Sequence, residues 1–209
     1  AEGIIPSREQ VFTEKFRVGE HLKVLIVSIE KSARGPRILL SRNRPELVRR
    51  LFELEVPEVY EKIIEIKNVL REPGIRSKVV VYTSNPKIDP VGSCVGVKGS
   101  RVKPIIDELR GERIDLVLYS DETVKYINSA FSPAKILQVN LVDPVKKRAR
   151  VIVADDMLSL AIGKRGTNVN LVSKLTGWQI DVRSESQIKE AVQKEASATF
   201  EELSRLEGI

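Results

Sequence analysis

Two short runs bounded by glycines hold the residues best suited to chemistry: Gly96-Val97-Lys98-Gly99 and Gly163-Lys164-Arg165-Gly166, 67 residues apart. A glycine pair between two helix ends lets a backbone approach a ligand with no Cβ atoms in the way. A helix that begins there turns unpaired N–H groups and its positive dipole end toward the same space. Lys98, Lys164 and Arg165 add charge inside the loops, and Arg101 and Lys103 follow the first. A sugar-phosphate backbone suits such a place, its bases read in an adjoining groove floored by apolar side chains. Asn168 and Asn170 follow the second loop, either to bond base edges and sugar hydroxyls or merely to face solvent. A steric corner between two helices also uses two glycines. Two such corners with three basic residues inside favour the phosphate reading. Neither run is a nucleotide-triphosphate loop, because Gly163-Lys164 is followed by Arg165 and position 158 is Leu. Neither follows a strand, as a dinucleotide fingerprint requires.

The elements around the loops repeat. Asp89–Val95 matches Asp156–Ile162, each with a capping Asp and apolar residues at helical spacing: Val91, Cys94 and Val95, then Leu158, Ala161 and Ile162. Ser100 and Thr167 are expected to cap the next helices. Val102, Ile105, Ile106 and Leu109 form one buried stripe, and Val169, Val172 and Leu175 the other. Gly111 and Gly177 are expected as left-handed helix ends. Ile114-Asp115 and Ile180-Asp181 then enter strands. Ahead of the loops, a helix is predicted over Glu46–Leu54 and strands around Ile63–Leu70 and Lys78–Tyr82. In the second copy a helix is predicted near 122–131, then alternating strands at Leu137–Leu141 and Ala149–Val153. Each copy therefore reads helix, strand, strand, helix, GxxG, helix, strand.

The first 44 residues read as β structure: Gly3–Ser7, His21–Ile29 and Arg37–Ser41, with a turn at Ser32–Pro36. Apolar residues on both faces of His21–Ile29 suit a small barrel, but three strands are too few to close one. The tail, with Ile188, Val192, Phe200, Leu203 and Leu206, reads as one or two amphipathic helices packed on the second copy. Cys94 is expected to be buried, Trp178 to pack in the core, and His21 to lie on the surface. Lys146-Lys147-Arg148 with Arg150 makes a basic hairpin, equally a solvated turn or an RNA-backbone contact.

Composition narrows the function. The 209 residues carry a formal charge of +6, with 42% hydrophobic and 31% charged residues, as in a folded globular protein. The first 184 residues sum to +9 and the last 25 to −3, so the tail hides part of the basic character. One Cys and one His exclude an internal disulfide and an ordinary zinc site. No catalytic constellation, metal site or cofactor is predicted, and no run is long and apolar enough for a membrane span. Ten aromatic residues are few for a protein that works by stacking bases on rings.

These residues carry a resemblance. The paired Val-Gly-Val-Lys-Gly and Ile-Gly-Lys-Arg-Gly loops, with their element order, resemble tandem KH domains of the bacterial type, which clamp about four nucleotides of a single strand at each GxxG. Leu51–Glu58, Arg71-Glu72-Pro73-Gly74, Asp89–Gly96, Ser132-Pro133-Ala134-Lys135 and Leu158–Lys164 resemble the NusA family of bacterial transcription elongation, termination and antitermination factors. Residues 1–44 resemble the second half of that family's OB-fold domain, with Gly3–Ser7 as its third strand and Ile38–Arg42 as its last. The implied fold is α+β: a partial OB barrel (1–44), two type II KH domains (45–119 and 120–184) and a helical tail (185–209). The implied site is Gly96, Val97, Lys98, Gly99, Arg101, Lys103, Gly163, Lys164, Arg165, Gly166, Asn168 and Asn170. The implied ligand is single-stranded RNA, namely nascent transcript, held in one groove of about eight nucleotides across two docked modules. RNA polymerase and other antitermination factors are the implied partners of the intact factor, which would be a cytoplasmic monomer and not an enzyme. The family's two earlier barrel strands and polymerase-binding domain have no counterpart in these residues. Another OB-plus-KH protein of RNA processing or ribosome assembly is the alternative, though a polynucleotide phosphorylase places KH before the OB domain and an exosome cap has one KH copy. A protein scaffold that has lost RNA is a further alternative, against which the retained loop cations speak.

Overall fold

The computed structural model describes residues 2–32 and 35–206, with side chains throughout except at 32, 195 and 198–206. The chain forms two compact units, 1–121 and 122–209. The first opens with β1 (Gly3–Ile4), β2 (Leu25–Ser32) and β3 (Gly35–Ser41), in the order β1-β3-β2. β1 runs parallel to β3 and β2 antiparallel to it. The second strand begins at Leu25, because His21–Val24 join no ladder. The sheet is open: Ile26 and Ile29 are more than half exposed, so its outer apolar residues face solvent instead of a barrel interior. Part of the turn expected at Ser32–Pro36 lies outside the described residues. His21 is exposed.

The rest of that unit is α1 (Pro45–Glu55), α2 (Pro57–Tyr60), β4 (Glu65–Glu72), β5 (Arg76–Tyr82), α3 (Pro90–Val95), α4 (Val102–Glu108) and β6 (Arg113–Leu118). Pro45 starts α1 at a position where its missing N–H costs nothing. Leu47, Val48, Leu51 and Phe52 form the buried face of α1, while Leu54 points outward. They pack with Val79 and Val81 of β5, Cys94 of α3, Ile105 of α4 and Leu109 just after it. Burial pushes the Cys94 thiol up to about 12, which leaves it a small hydrophobe. The sheet order is β4-β5-β6, with β5 antiparallel to β4 and parallel to β6.

The second unit repeats the plan with α5 (Thr123–Ala130), β7 (Gln138–Asp143), β8 (Arg148–Val153), α6 (Leu158–Ile162), α7 (Thr167–Thr176) and β9 (Gln179–Ser184). Its sheet order is β7-β8-β9, again antiparallel then parallel. Ala149, Val151 and Val153 of β8 are buried, as are Ala161 of α6 and Leu171, Val172 and Leu175 of α7. Leu171 replaces the expected Val169, which is half-buried. Trp178 is also half-buried. One helix, α8 (Glu185–Leu206), follows; Ile188 is half-buried, but residues 189–194, Val192 among them, are exposed. The side chains of Phe200, Leu203 and Leu206 lie outside the described residues.

The helix ends differ from expectation in four places. Asp89 caps α3, its carboxylate accepting from the Val91 amide at 3.0 Å. Asp156 caps nothing, because a 3-10 turn over Asp155–Met157 leads into α6. Ser100 and Thr167 do not cap either. Ser100 already has helical φ and ψ, and Thr167 is the first residue of α7, its hydroxyl turned back to the Lys164 carbonyl. Gly177 ends α7 with φ 72° as expected. In the first copy the left-handed position falls on Arg110 (φ 58°), one residue before Gly111. Paired bonds from Arg110 N–H to Asp107 O and Gly111 N–H to Ile106 O make this a Schellman ending, with Gly111 outside the helix.

One ion pair ties the opening segment down in a pH-dependent way. Hydrogen bonds from the Arg44 guanidinium, at 2.8 Å, and from the Ser41 hydroxyl lower the Glu9 carboxyl from 4.5 to about 2. A carboxyl depressed by folding contributes stability above its unfolded value, and that contribution is lost as pH falls through the folded one. Thermal unfolding of the wild type should therefore lose stability between pH 4.5 and about 2. Glu9→Gln should flatten that part of the profile; parallel profiles would show that this pair is not coupled to folding.

Candidate nucleic-acid interface

Both loops are built on the same backbone. Gly96 (φ 73°, ψ 169°) and Gly163 (φ 77°, ψ 165°) adopt a conformation open essentially to glycine. Two residues on, Lys98 (φ 53°, ψ 29°) and Arg165 (φ 55°, ψ 29°) are both left-handed, and Gly99 and Gly166 follow at φ 80° and 74°. The amide of each second glycine donates to the carbonyl of the first at 3.0 Å. The match joins sequences that share only their glycines, so the shape is imposed by the frame and not by the middle residues.

The glycines do different work. A Cβ on Gly163 would lie 2.8 Å from the Asn168 amide nitrogen, and one on Gly96 would lie 3.0 Å from that of Arg101. These first glycines let the next helix close onto the loop. The second pair meets no such obstacle, with nearest atoms at 3.8 Å for Gly99 and 3.4 Å for Gly166. There glycine serves the positive φ alone. Gly163→Ala should accordingly destabilise the second unit by about 2–3 kcal/mol, and Gly166→Ala by about 1 kcal/mol, in denaturant titrations. Equal losses would show that close approach of α7 does not matter.

Two predicted contact residues bond back onto the fold. Asn168 is fully buried, and its Nδ2 donates to the carbonyls of Ala161 (3.0 Å) and Leu160 (3.4 Å). Arg101 holds the corresponding place in the first copy. Its Nη1 donates to the Ser93 carbonyl at 2.8 Å, the counterpart of Leu160, and to the Glu58 carboxylate at 2.9 Å. Both side chains pin the helix before the loop to the helix after it. Asn168 is thereby taken out of reach of RNA, a correction to its expected contact, whereas the Arg101 side chain stays 32% exposed beside the first loop. The helical period explains this, since five residues beyond the first glycine the chain faces back under the loop.

The remaining predicted residues lie where a ligand can reach. Val97 is 81% exposed, and Lys98, Lys103, Lys164, Arg165 and Asn170 are exposed as well. Among the described residues, no carboxylate pairs with Lys98, Lys103, Lys164 or Arg165. Nor, among them, does the fold use the amides of Val97, Lys98, Lys164 and Arg165. Unspent donors beside unpaired cations can hold phosphate oxygens at two places in one chain. Strained, left-handed Lys98 and Arg165 fit a ligand clamp, where such conformations concentrate. Among the described residues, no three His, Cys, Asp or Glu side chains gather to hold a metal ion, and no helix is long and apolar enough to cross a membrane.

Comparison with known proteins agrees with this layout. A family model for a NusA-like first KH domain matches residues 42–119, and one for a NusA-like second KH domain matches 123–190. The transcription termination/antitermination protein NusA of Halalkalibacterium halodurans is 51% identical over 189 residues, which is 90% of this chain and 49% of that protein. NusA of Bacillus subtilis is 49% identical over 90% of this chain and 51% of its own length. NusA of Thermus thermophilus is 44% identical over 96% and 52% respectively. The chain thus spans about half the length of the curated relatives it matches.

Proposed function

As the chain belongs to the NusA family, whose first and second KH domains it carries in tandem, we propose that it binds single-stranded RNA through the two glycine loops. The observation that carries this is the pair of superposable loop backbones, each with unspent amides and exposed, unpaired cations. The mechanism is positional. Each loop presents two amides and at least one cation to a phosphate, and each module takes about four nucleotides. Arg101 and Asn168 hold the flanking helices so that these amides are already arranged before RNA arrives. Preorganised donors bind more tightly because little ordering remains to be done on association.

In the cell this binding would serve a factor of transcription termination and antitermination, as the names of its relatives indicate, and through the transcript it would modulate pausing by RNA polymerase. The nascent transcript is the RNA at hand for such a factor. Contacts to polymerase and to other antitermination factors belong to the intact protein.

Titration of a labelled 12-nucleotide RNA across a salt series tests the proposal. For single strands the log–log salt slope is about −0.7 per neutralised phosphate, so Lys98, Lys164 and Arg165 alone give about −2. A slope near zero, or no binding at low salt, would refute phosphate-led recognition.

A further inference from the structure

The repeat places a similar charged constellation on both sheets, buried in the first and exposed in the second. In the first sheet Arg76 and Lys78 of β5 lie opposite Arg113 and Asp115 of β6. Asp115 pairs there with Arg76 at 2.7 Å and with Lys78 at 3.0 Å, and all three side chains are at most 8% exposed. In the second sheet the same register sets Arg148 and Arg150 of β8 opposite Gln179 and Asp181 of β9. Asp181 is shared by Arg150 at 3.2 Å and Arg183 at 3.1 Å, with all three side chains 42–50% exposed. Strand alternation puts these residues on the face away from buried Ala149, Val151 and Val153. Arg148, Arg150, Gln179 and Asp181 line a shallow concavity of about 460 Å³ together with Val142, and Arg183 reaches Asp181 from farther along β9.

We propose that this open face of the second sheet is a further RNA-contact surface, which takes phosphates of an RNA already held at the loops. The proposal rests on the loop reading above. Three guanidinium groups stand against two carboxylates, Asp181 and Asp143, the latter opposite Arg148 and accepting from the Lys146 amide at 2.9 Å; with Lys146 and Lys147 at the turn the face remains cationic. Exposed ion pairs of this kind contribute little, so Arg150 and Arg183 can exchange Asp181 for phosphate at small cost. Guanidinium forks match phosphate geometry bidentately. Arg148 and Arg150 stand two residues apart on one strand, about 6.6 Å. That spacing suits successive phosphates of an extended strand. Gln179 and Asn140 of the adjacent strands supply amides for sugar hydroxyls. The face lies on the side of the sheet away from α6 and α7, so only a long RNA reaches both it and the loops.

The test compares 6-nucleotide and 24-nucleotide single-stranded RNAs against the wild-type chain and an Arg148→Gln/Arg150→Gln/Arg183→Gln variant. The variant should bind the 24-mer roughly tenfold more weakly, with a salt slope shallower by about 2, and the 6-mer unchanged. The corresponding triple Lys variant should keep most of the affinity, which separates charge from fold. Unchanged 24-mer binding in the Gln variant overturns the proposal. So does an arginine-dependent affinity for poly-glutamate that exceeds that for the 24-mer, which would assign the face to an acidic protein. If the loop reading fails instead, the 6-mer does not bind the wild type. In that case 24-mer binding that is lost on replacing the three arginines still supports the face.

Discussion

Replacing Val97-Lys98 and Lys164-Arg165 with Asp-Asp is expected to abolish binding of short single-stranded RNA, by at least a hundredfold at moderate salt. Three cations are removed and four carboxylates appear at the two places where amides and charge converge. Like charge against phosphate costs several kcal/mol where an interface is partly desolvated. The fold should tolerate the change. All four side chains are exposed, among the described residues no carboxylate pairs with these cations, and Asp accepts the left-handed conformation of positions 98 and 165 better than most residues. The unfolding temperature should therefore stay within about 3 °C of wild type, since exposed substitutions change stability by only about 0.5 kcal/mol. Wild-type affinity in a folded variant would remove the loops from RNA recognition. One loop altered at a time should leave intermediate affinity, because either module alone still holds about four nucleotides.

Much of that site is written in the chain. The glycine spacing and the helical apolar stripes on either side are local signals, and local signals survive folding. The capping Asp89 and the terminal Gly177 were legible for the same reason. Features that depend on long-range packing were not. Glu112 sits at the polar counterpart of Trp178, where a charged residue type says nothing of burial. It is fully buried and accepts from Arg71, Ser77 and the Gly74 amide. Nothing at 112 announces a partner 41 residues away. Arg101 and Asn168 fall under the same limit. Residue type marked them as RNA ligands, and only the turn of the following helix decides that they bond back onto the fold. The exposure of the second sheet was hidden too, because Arg150 and Lys78 stand at corresponding strand positions with the same charge and differ in exposure, 45% against 0%.

Arg42→Ala should destabilise the first unit by about 3–5 kcal/mol, the cost of breaking a buried charge pair from one side. The Arg42 side chain is 0% exposed and joins three segments. Its guanidinium donates to both Glu14 carboxylate oxygens at 2.5 and 2.7 Å, to the Lys23 carbonyl at 2.7 Å, and to the carboxylate and backbone carbonyl of Glu108, each at 2.7 Å. Truncation strands Glu14, only 1% exposed, without its counter-charge. It also strands Glu108 at the end of α4, where an acidic side chain opposes the helix dipole and the last carbonyls need donors. Glu108 is 18% exposed and can partly rehydrate, so Glu14 carries the larger penalty. An Arg42→Met/Glu14→Leu double variant removes both charges at similar volume. It should recover most of the loss, because apolar replacement of a buried pair is often neutral or stabilising. Chemical denaturation of the two variants and of Glu14→Leu alone completes the cycle; a double variant as unstable as Arg42→Ala would show that packing, not charge, sets the cost. The same substitution reaches the site by a defined route. The helix that Arg42 anchors at its C-terminal end is the one that leaves the first glycine loop, so loosening it costs preorganisation there and leaves the second loop's own frame intact. Under conditions where the variant is still folded, RNA affinity should fall by a few-fold, and the fall should vanish when the first loop already carries Asp-Asp.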